Sequence, residues 1–185
     1  MRADISLAVN NVRDERRRRF VELYDDHSEA VLRYALRRTD AHAAGDVLAE
    51  TFLVAWRRLE RVPAEPRPWL LAVARRVLAN QRRADARRAA LVLRMRAEPR
   101  GRAAEPIERL DVAAALERLS ARDREALLLV YWDGLALGEA ARVLGCSALA
   151  FRSRLHRARR RLSRVLDDEA EHPSEERDTY VRAAS

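Results

Sequence analysis

The segment CSALAFRSRLHRARRRL, residues 146–162, contains six arginines among regularly spaced apolar residues. Phe151, Leu155, Ala158 and Leu162 follow one another at steps of four, three and four, so on a helix they share one face. The arginines point in other directions, where guanidinium groups can bind the bases and phosphates of DNA. The segment therefore predicts a helix that is packed on one side and basic on the other. Taken alone, it also fits a solvated surface helix of an arginine-rich protein.

The residues before this segment favour the DNA-binding interpretation. LDVAAALERLSARDREALLLVYWDG predicts a helix to Leu119, a cap at Ser120 and a second helix that ends at Gly134. LALGEAARVLG predicts a short helix closed by Gly145, and Ser147 can cap the basic helix that follows. A short helix, a tight turn with glycine and a longer basic helix form a helix-turn-helix, whose second helix lies in the major groove of DNA.

The composition favours a polyanionic partner. The 185 residues carry a formal net charge of +8, and arginine supplies every positive side chain because the sequence has no lysine. Each phosphate that such a protein neutralises releases counterions, which favours nucleic acid. The single Cys146 excludes an internal disulfide and a cysteine-rich zinc site. The sequence shows neither a signal peptide nor an apolar run long enough to span a bilayer, so we expect a cytoplasmic protein without membrane insertion.

Elements on both sides of a short linker follow a helical pattern. Pro99, Gly101 and Pro106 mark this linker, apolar residues elsewhere recur at steps of three and four, and alternating strand-like runs are missing. We therefore expect an all-α protein with two small helical domains joined by a flexible linker. The expected parts are a first domain at residues 14–96, the linker at 97–110, a helix-turn-helix domain at 111–166 and an acidic tail at 167–185.

The first domain contains a helix with an apolar stripe and an acidic flank. GDVLAETFLVAWRRLERV places Phe52 and Trp56 on the stripe, and we expect Trp56 in the core. Asp46 and Glu50 lie four residues apart, so they share one flank of the helix. Carboxylates at this spacing suit a partner surface, and a solvated helix face is the alternative.

Three prolines precede the most basic part of the first domain. Pro63, Pro66 and Pro68 predict a loop that remains non-helical up to Trp69. The sequence WLLAVARRVLANQRR then predicts a strongly basic helix. Its arginines are suited to a nucleic-acid strand.

Together these motifs resemble the extracytoplasmic-function sigma factors, the smallest members of the bacterial sigma-70 family. The resemblance covers about Phe20 to Leu166. The helix-turn-helix is similar to the promoter-reading region four of this family, and GDVLAETFLVAWRR with RPWLLAVARRVLANQRR is similar to region two. The linker is too short for a further domain of about 50 residues. The resemblance implies a promoter-specificity subunit that binds core RNA polymerase and promoter DNA, is not an enzyme on its own, and has an anti-sigma factor as a partner.

The resemblance also implies roles for individual residues. It assigns docking on a coiled coil of core polymerase to Asp46, Glu50 and Phe52. It assigns capture of the downstream (−10) promoter element and its flipped base to Arg67, Trp69, Arg75, Arg76, Asn80, Arg82 and Arg83. It assigns contact with the upstream (−35) element to Ser147, Arg152, Ser153, Arg154, His156, Arg157 and Arg160. Among these, Arg154 and Arg160, with Arg159, are expected to meet phosphates, and Trp69 to pack or to stack on a base.

Other functional classes fit the sequence less well. A stand-alone helix-turn-helix regulator is the main alternative, but the first domain shows no ligand-binding or dimerisation signature. A general RNA-binding protein is less favoured because aromatic residues make up only 5% of the chain. The four histidines have no partners at metal-ligand spacing, and neither a phosphate-binding glycine loop nor a nucleophile motif is present. We therefore expect no catalytic residue, metal or cofactor.

Overall fold

A computed structural model describes the backbone of residues 2–93 and 110–171 and the side chains of residues 13–88 and 112–168. Within these ranges every regular element is a helix. The chain divides into two units, the first formed by Met1–Pro99 and the second by most of residues 100–185. The predicted all-α fold with two helical units is confirmed. Most of the predicted linker and acidic tail lies outside the described residues.

Seven α-helices and one 3₁₀ helix form the described chain. The first unit contains α1 (Arg2–Leu36), α2 (Ala41–Arg57), a 3₁₀ helix (Leu59–Arg61) and α3 (Pro66–Leu93). The second half of the sequence contains α4 (Leu110–Arg118), α5 (Ala121–Tyr131), α6 (Leu137–Leu144) and α7 (Ala148–Glu171).

The helices of the first unit pack around one apolar core. The fully or almost fully buried side chains are Leu23, Val31, Tyr34 and Ala35 of α1, Ala44, Val47, Phe52 and Ala55 of α2, and Leu70, Leu71, Val73, Ala74, Val77 and Leu78 of α3. Burial of each large apolar side chain contributes about 1.5–3 kcal/mol. The Arg38 guanidinium closes one edge of this core, because it lies 3.6 Å from the centre of the Tyr34 ring.

Asp40 fixes the start of α2. Its carboxylate accepts a hydrogen bond from the Ala43 backbone N–H at 2.9 Å, which satisfies a donor that the first helical turn leaves open. This hydrogen bond lowers the pKa of Asp40 below its ordinary value, so the cap is charged at neutral pH. Asp40 thereby orients α2, which carries the acidic flank.

The prolines before Trp69 do not keep the chain non-helical, and this prediction is wrong. Helix α3 begins at Pro66, so Pro66 and Pro68 both lie in its first turn. Proline is tolerated there because the first backbone N–H groups of a helix have no intrahelical partner, and its fixed φ suits the helix. Only Pro63 lies in the connection that follows the 3₁₀ helix.

The core of the second unit joins α4, α5 and α7. Its buried apolar side chains include Ala115, Leu116, Leu119, Ala126, Leu127, Leu128, Leu129, Phe151, Leu155 and Ala158. Arg124 links α5 to the end of α4, because its Nε and Nη2 donate to the carbonyls of Leu116 and Glu117 at 2.7 and 2.6 Å. A guanidinium at this place satisfies carbonyls that the last turn leaves open and complements the helix dipole.

An ion pair between a buried carboxylate and a half-exposed guanidinium connects α5 to α7. The Asp123 side chain is 7% exposed and accepts from Arg161 Nη1 and from the Ser120 hydroxyl. Ser120 Oγ in turn accepts from the Asp123 backbone N–H, as the predicted cap of α5 requires. Arg161 therefore fixes the middle of α7 to the start of α5.

Candidate functional site

Glycine and serine set the turn that leads into α7. Gly145 has a φ of +67°, a conformation that an L side chain rarely adopts. Its N–H donates to the Arg142 carbonyl and the Cys146 N–H donates to the Ala141 carbonyl, at 3.1 and 3.0 Å, which is the Schellman ending of a helix. Ser147 Oγ then accepts from the Ala150 N–H at 3.2 Å. The predicted helix end and N-cap are both confirmed.

The start of α6 uses a contact that the sequence analysis missed. Ala136 precedes the helix and has no side chain that can cap it, but its backbone N–H donates to Glu139 Oε2 at 2.8 Å. This is half of a capping box, in which a glutamate in the first turn reaches back to the residue before the helix. A glutamate three residues after Ala136 was the signal that could have predicted it.

Helix α7 is packed along one line and open along the others. Phe151, Leu155 and Ala158 are 0%, 3% and 0% exposed, as their spacing predicted, while Leu162 at the end of the stripe is only partly buried. The side chains that the sequence assigned to the upstream element are exposed at Ser147, Arg152, Ser153, His156, Arg157 and Arg160, and partly buried at Arg154. The structure therefore brings these residues together on the accessible surface of one helix.

Two other arginines of α7 contact side chains of α5. The Arg159 guanidinium lies 5.2 Å from the centre of the Tyr131 ring, and Arg161 pairs with Asp123. Sequence reasoning grouped Arg159 with the phosphate contacts, but it did not foresee the aromatic partner. All four arginines are exposed, but Arg159 and Arg161 contact α5, whereas the structure gives Arg152 and Arg157 no such contact.

The predicted acidic flank of α2 lies on the surface. Asp46 and Glu50 are both exposed, as their shared flank requires. Phe52 differs, because its side chain is 3% exposed and packs edge-on against Tyr24 at 4.8 Å and Phe20 at 6.2 Å. The structure therefore places Phe52 beneath the exposed side chains of α2, in contact with the aromatic rings of α1.

An apolar groove lies between α1 and α2. It has a volume of about 400 Å³ and is lined by Phe20, Tyr24, Gly45, Leu48, Ala49, Phe52, Leu53 and Trp56. Trp56 is 37% exposed, so its predicted place in the core is wrong. The indole packs edge-on against Phe20 at 5.1 Å, and the Arg16 guanidinium lies 4.9 Å from its ring centre. The aromatic side chain thus forms a wall of an open groove beside the acidic flank.

A second cleft separates α2 from α3. Its volume is about 210 Å³, and its lining residues are Glu50, Val54, Arg58, Trp69, Val73, Arg76, Val77 and Asn80. Three residues assigned to the downstream element, Trp69, Arg76 and Asn80, therefore meet in one place. Glu50 of the acidic flank lines the same cleft, a proximity that the sequence did not reveal.

The remaining residues assigned to the downstream element do not all join this cleft. Arg83 lies beside it, because its Nη2 donates to Asn80 Oδ1. Arg82 is turned toward the end of α1, where its Nη2 donates to the Arg38 carbonyl at 2.8 Å. Arg67 lies near His27 of α1 and helps to lower the pKa of that histidine, although burial is the larger cause. The assigned residues thus occupy two flanks of α3, with Arg75 exposed.

The described residues show no grouping typical of a metal site. No three histidine, cysteine, aspartate or glutamate side chains in this part of the chain are placed to hold a metal ion. Cys146 is a free, partly exposed thiol. None of the described helices is long and apolar enough to cross a membrane.

Comparisons with known proteins agree with the two-unit architecture. Residues 23–88 match the family described as Sigma-70 region 2, and residues 109–162 match Sigma-70, region 4. The ECF RNA polymerase sigma factor SigL of Mycobacterium tuberculosis is 36% identical over 155 residues, which cover 79% of this chain and 88% of SigL. BldN, an ECF RNA polymerase sigma factor of Streptomyces coelicolor, is 30% identical over 162 residues, which cover 82% of this chain and 61% of BldN.

Two solved structures have a similar fold. The sigma factor RpoE from Bartonella quintana, in complex with the anti-sigma factor NepR, gives a TM-score of 0.66 at 25% identity over 80% of this chain and 96% of RpoE. CnrH, in complex with the cytosolic domain of CnrY, gives a TM-score of 0.57 at 25% identity over 81% of this chain and 88% of CnrH. With a region 2 match on the first unit and a region 4 match on the second, the chain belongs to the extracytoplasmic-function (ECF) sigma factors of bacterial RNA polymerase.

Proposed function

We propose that this ECF sigma factor divides polymerase binding and promoter recognition among three surfaces. The outer face of α2 binds core polymerase, α3 binds the downstream promoter element, and α7 reads the upstream element. Residues 14–96 then form the region 2 domain, residues 111–166 form the region 4 domain, residues 97–110 link them and residues 167–185 form the acidic tail.

The exposure pattern of α7 is the observation that carries this proposal. Phe151, Leu155 and Ala158 are buried against the rest of the unit. Arg152 and Arg157 are exposed, and neither of them forms a hydrogen bond or an ion pair in the structure. A long arginine side chain without an internal partner is available for bidentate contact with guanine, the commonest specific contact in the major groove. Arg160 lies further along the helix and suits a phosphate, which contributes affinity without sequence information.

On α3 the cleft and the basic flanks supply the two requirements for capturing a melted strand. A flipped base needs a shaped pocket, and the cleft offers the Trp69 ring for stacking and the Asn80 amide for hydrogen bonds. A single strand also needs cations along its backbone, which Arg75, Arg76 and Arg83 offer. Arg67 and Arg82 complete the set from the flank nearer α1.

The outer face of α2 combines charge with exposed apolar area. Asp46 and Glu50 lie on the same helix as Leu53 and Trp56, which are 47% and 37% exposed and line the groove. A helical partner can lay its apolar side in such a groove and place basic side chains against the carboxylates. Phe52 takes part indirectly, because its buried ring supports the groove from below.

Partners and location follow from the same proposal. RpoE and CnrH are each described in a complex, RpoE with an anti-sigma factor and CnrH with the cytosolic domain of CnrY, so we expect an anti-sigma factor to bind this chain as well. Core polymerase and chromosomal DNA place its activity in the cytoplasm. The chain itself catalyses no reaction and acts by positioning the polymerase.

Promoter affinity with and without core polymerase tests the proposal. The free protein should bind promoter duplex weakly and with little selectivity, because one helix-turn-helix makes few base contacts. Core polymerase should raise both affinity and selectivity, and Asp46→Arg should remove this gain. Glu50→Arg should also remove it, but Glu50 lines the cleft as well, so Asp46→Arg reports on the outer face alone.

Glu22→Arg is the matched control for these charge reversals. Glu22 is exposed on α1 and does not line the apolar groove, so the variant has the same net charge as Asp46→Arg but leaves the outer face of α2 unchanged. Core polymerase should still raise the promoter affinity and selectivity of Glu22→Arg. Tight, selective binding by the free protein, with no gain that Asp46→Arg can remove, would show that the protein acts as a stand-alone regulator.

A further inference from the structure

Leu149 is the most exposed large hydrophobic residue in the described chain, with 76% of its surface accessible. Single exposed leucines are common on protein surfaces and need no special explanation. The position of Leu149 is informative, because it lies in the first turn of α7, two residues after the Ser147 cap. The first residues of a recognition helix are those that contact base edges.

The helix face on which Leu149 lies also suits contact with DNA. At about 100° per residue, Leu149 lies on the side of the helix opposite Phe151. Ser153, His156 and Arg160 follow it at steps of four, three and four, so all four residues lie along one outward line. Each of the three that follow is exposed and belongs to the set assigned to the upstream element. Leu149 therefore extends the line of residues assigned to the upstream element to the beginning of the helix.

The chemistry of the side chain limits what it can recognise. Leucine has neither a donor nor an acceptor, so it cannot read the hydrogen-bonding groups of a base edge. The only apolar group that the bases present in the major groove is the C5-methyl group of thymine. The residues next to Leu149 in the sequence, Ala148 and Ala150, are also exposed and apolar, so the first turn of α7 presents apolar surface. The nearest polar side chains on the helix, Arg152 and Ser153, lie one turn further along.

We propose that Leu149 selects a thymine in the upstream promoter element through contact with its methyl group. The proposal rests on the proposed function, in which α7 reads this element, and adds a specificity-determining residue to it. Arg152 and Ser153 would then read the base pairs beside this thymine.

The test uses the full chain bound to core polymerase. Duplexes with a randomised upstream element are first selected for binding to the wild-type protein and to Leu149→Ala. The comparison identifies the positions at which the wild type prefers thymine and the variant does not. Each such thymine is then replaced by deoxyuridine, which lacks only the methyl group. Burial of one methyl-sized group corresponds to about a fourfold change in affinity. The affinity of the wild-type protein for the duplex should therefore fall about fourfold on this replacement. The affinity of Leu149→Ala should not change.

Leu137→Ala is the matched control, because Leu137 is an exposed leucine at the start of α6 and outside the recognition helix. This variant should retain the full response to deoxyuridine. Selection of an upstream element that contains no thymine dependent on Leu149, or equal losses for both proteins on deoxyuridine, would overturn the inference and leave the proposed function standing. Failure of the wild-type complex to select any upstream element would overturn both.

Discussion

Replacement of Arg157 by alanine should weaken promoter recognition without weakening the fold. Arg157 is exposed on α7, and the structure gives it no hydrogen bond or ion pair. Surface substitutions of this kind change the free energy of unfolding by no more than about 0.5 kcal/mol. A bidentate contact with guanine contributes about 1–3 kcal/mol of discrimination, so selectivity at one base pair should fall roughly 5- to 150-fold.

The assay compares two arginines of the same helix on the same polymerase complex. Arg157→Ala should relax the preference at one position of the upstream element, whereas Arg160→Ala should weaken binding to all sequences about equally. A lost phosphate contact should also reduce the slope of log affinity against log salt by about one. Circular dichroism should show unchanged helical content for both variants. An Arg157→Ala protein with intact base preference would refute the assignment of this residue to base reading.

Two predictions concern the stability of the units. Asp123→Asn should lower the free energy of unfolding by about 1–3 kcal/mol in urea denaturation, because it removes the charge that Arg161 binds at a buried position; the exposed control Asp168→Asn should change it little. Burial lowers the pKa of His27, with Arg67 adding to this effect and Asp26 opposing it, so protonation should destabilise the folded state. Stability from this residue is present above the ordinary histidine pKa and is lost as the pH falls through the lowered value, so thermal unfolding at pH 7.5 and 5.5 should differ less in His27→Gln than in the wild type.

The sequence predicted those features that depend on neighbouring residues. The apolar line of α7 follows from helical spacing, and burial of Phe151 and Leu155 confirms it. Ser120, Gly145 and Ser147 act through backbone groups within a few residues, so their capping roles could be read directly. Hydrogen bonds between residues so close in the sequence allow few other local conformations.

The features that were missed depend on where the helices pack. Trp56 has the spacing of a core residue, but packing against Phe20 leaves one side of its ring open to the groove. Glu50 has the spacing of an exposed flank residue, and it is exposed, but it also lines the cleft against α3. Periodicity gives the angle of a residue around its own helix. It does not give the width of the stripe that a neighbouring helix covers, so the groove and the cleft could not be predicted.

The small number of side chains proposed to read bases implies that polymerase must contribute to promoter affinity. Helix α7 has Arg152, Ser153 and Arg157 on its exposed side. At about 1–3 kcal/mol of discrimination for each good contact, these side chains can distinguish promoter sequences but cannot supply tight binding alone. In the proposed function, docking through α2 attaches the chain to a particle that also holds the melted strand near α3. The second DNA contact then becomes intramolecular, which raises the overall affinity by about 10²–10⁴-fold without any new contact. Loss of the α2 contact should therefore reduce affinity for both promoter elements together, whereas a change on α7 should affect the upstream element alone.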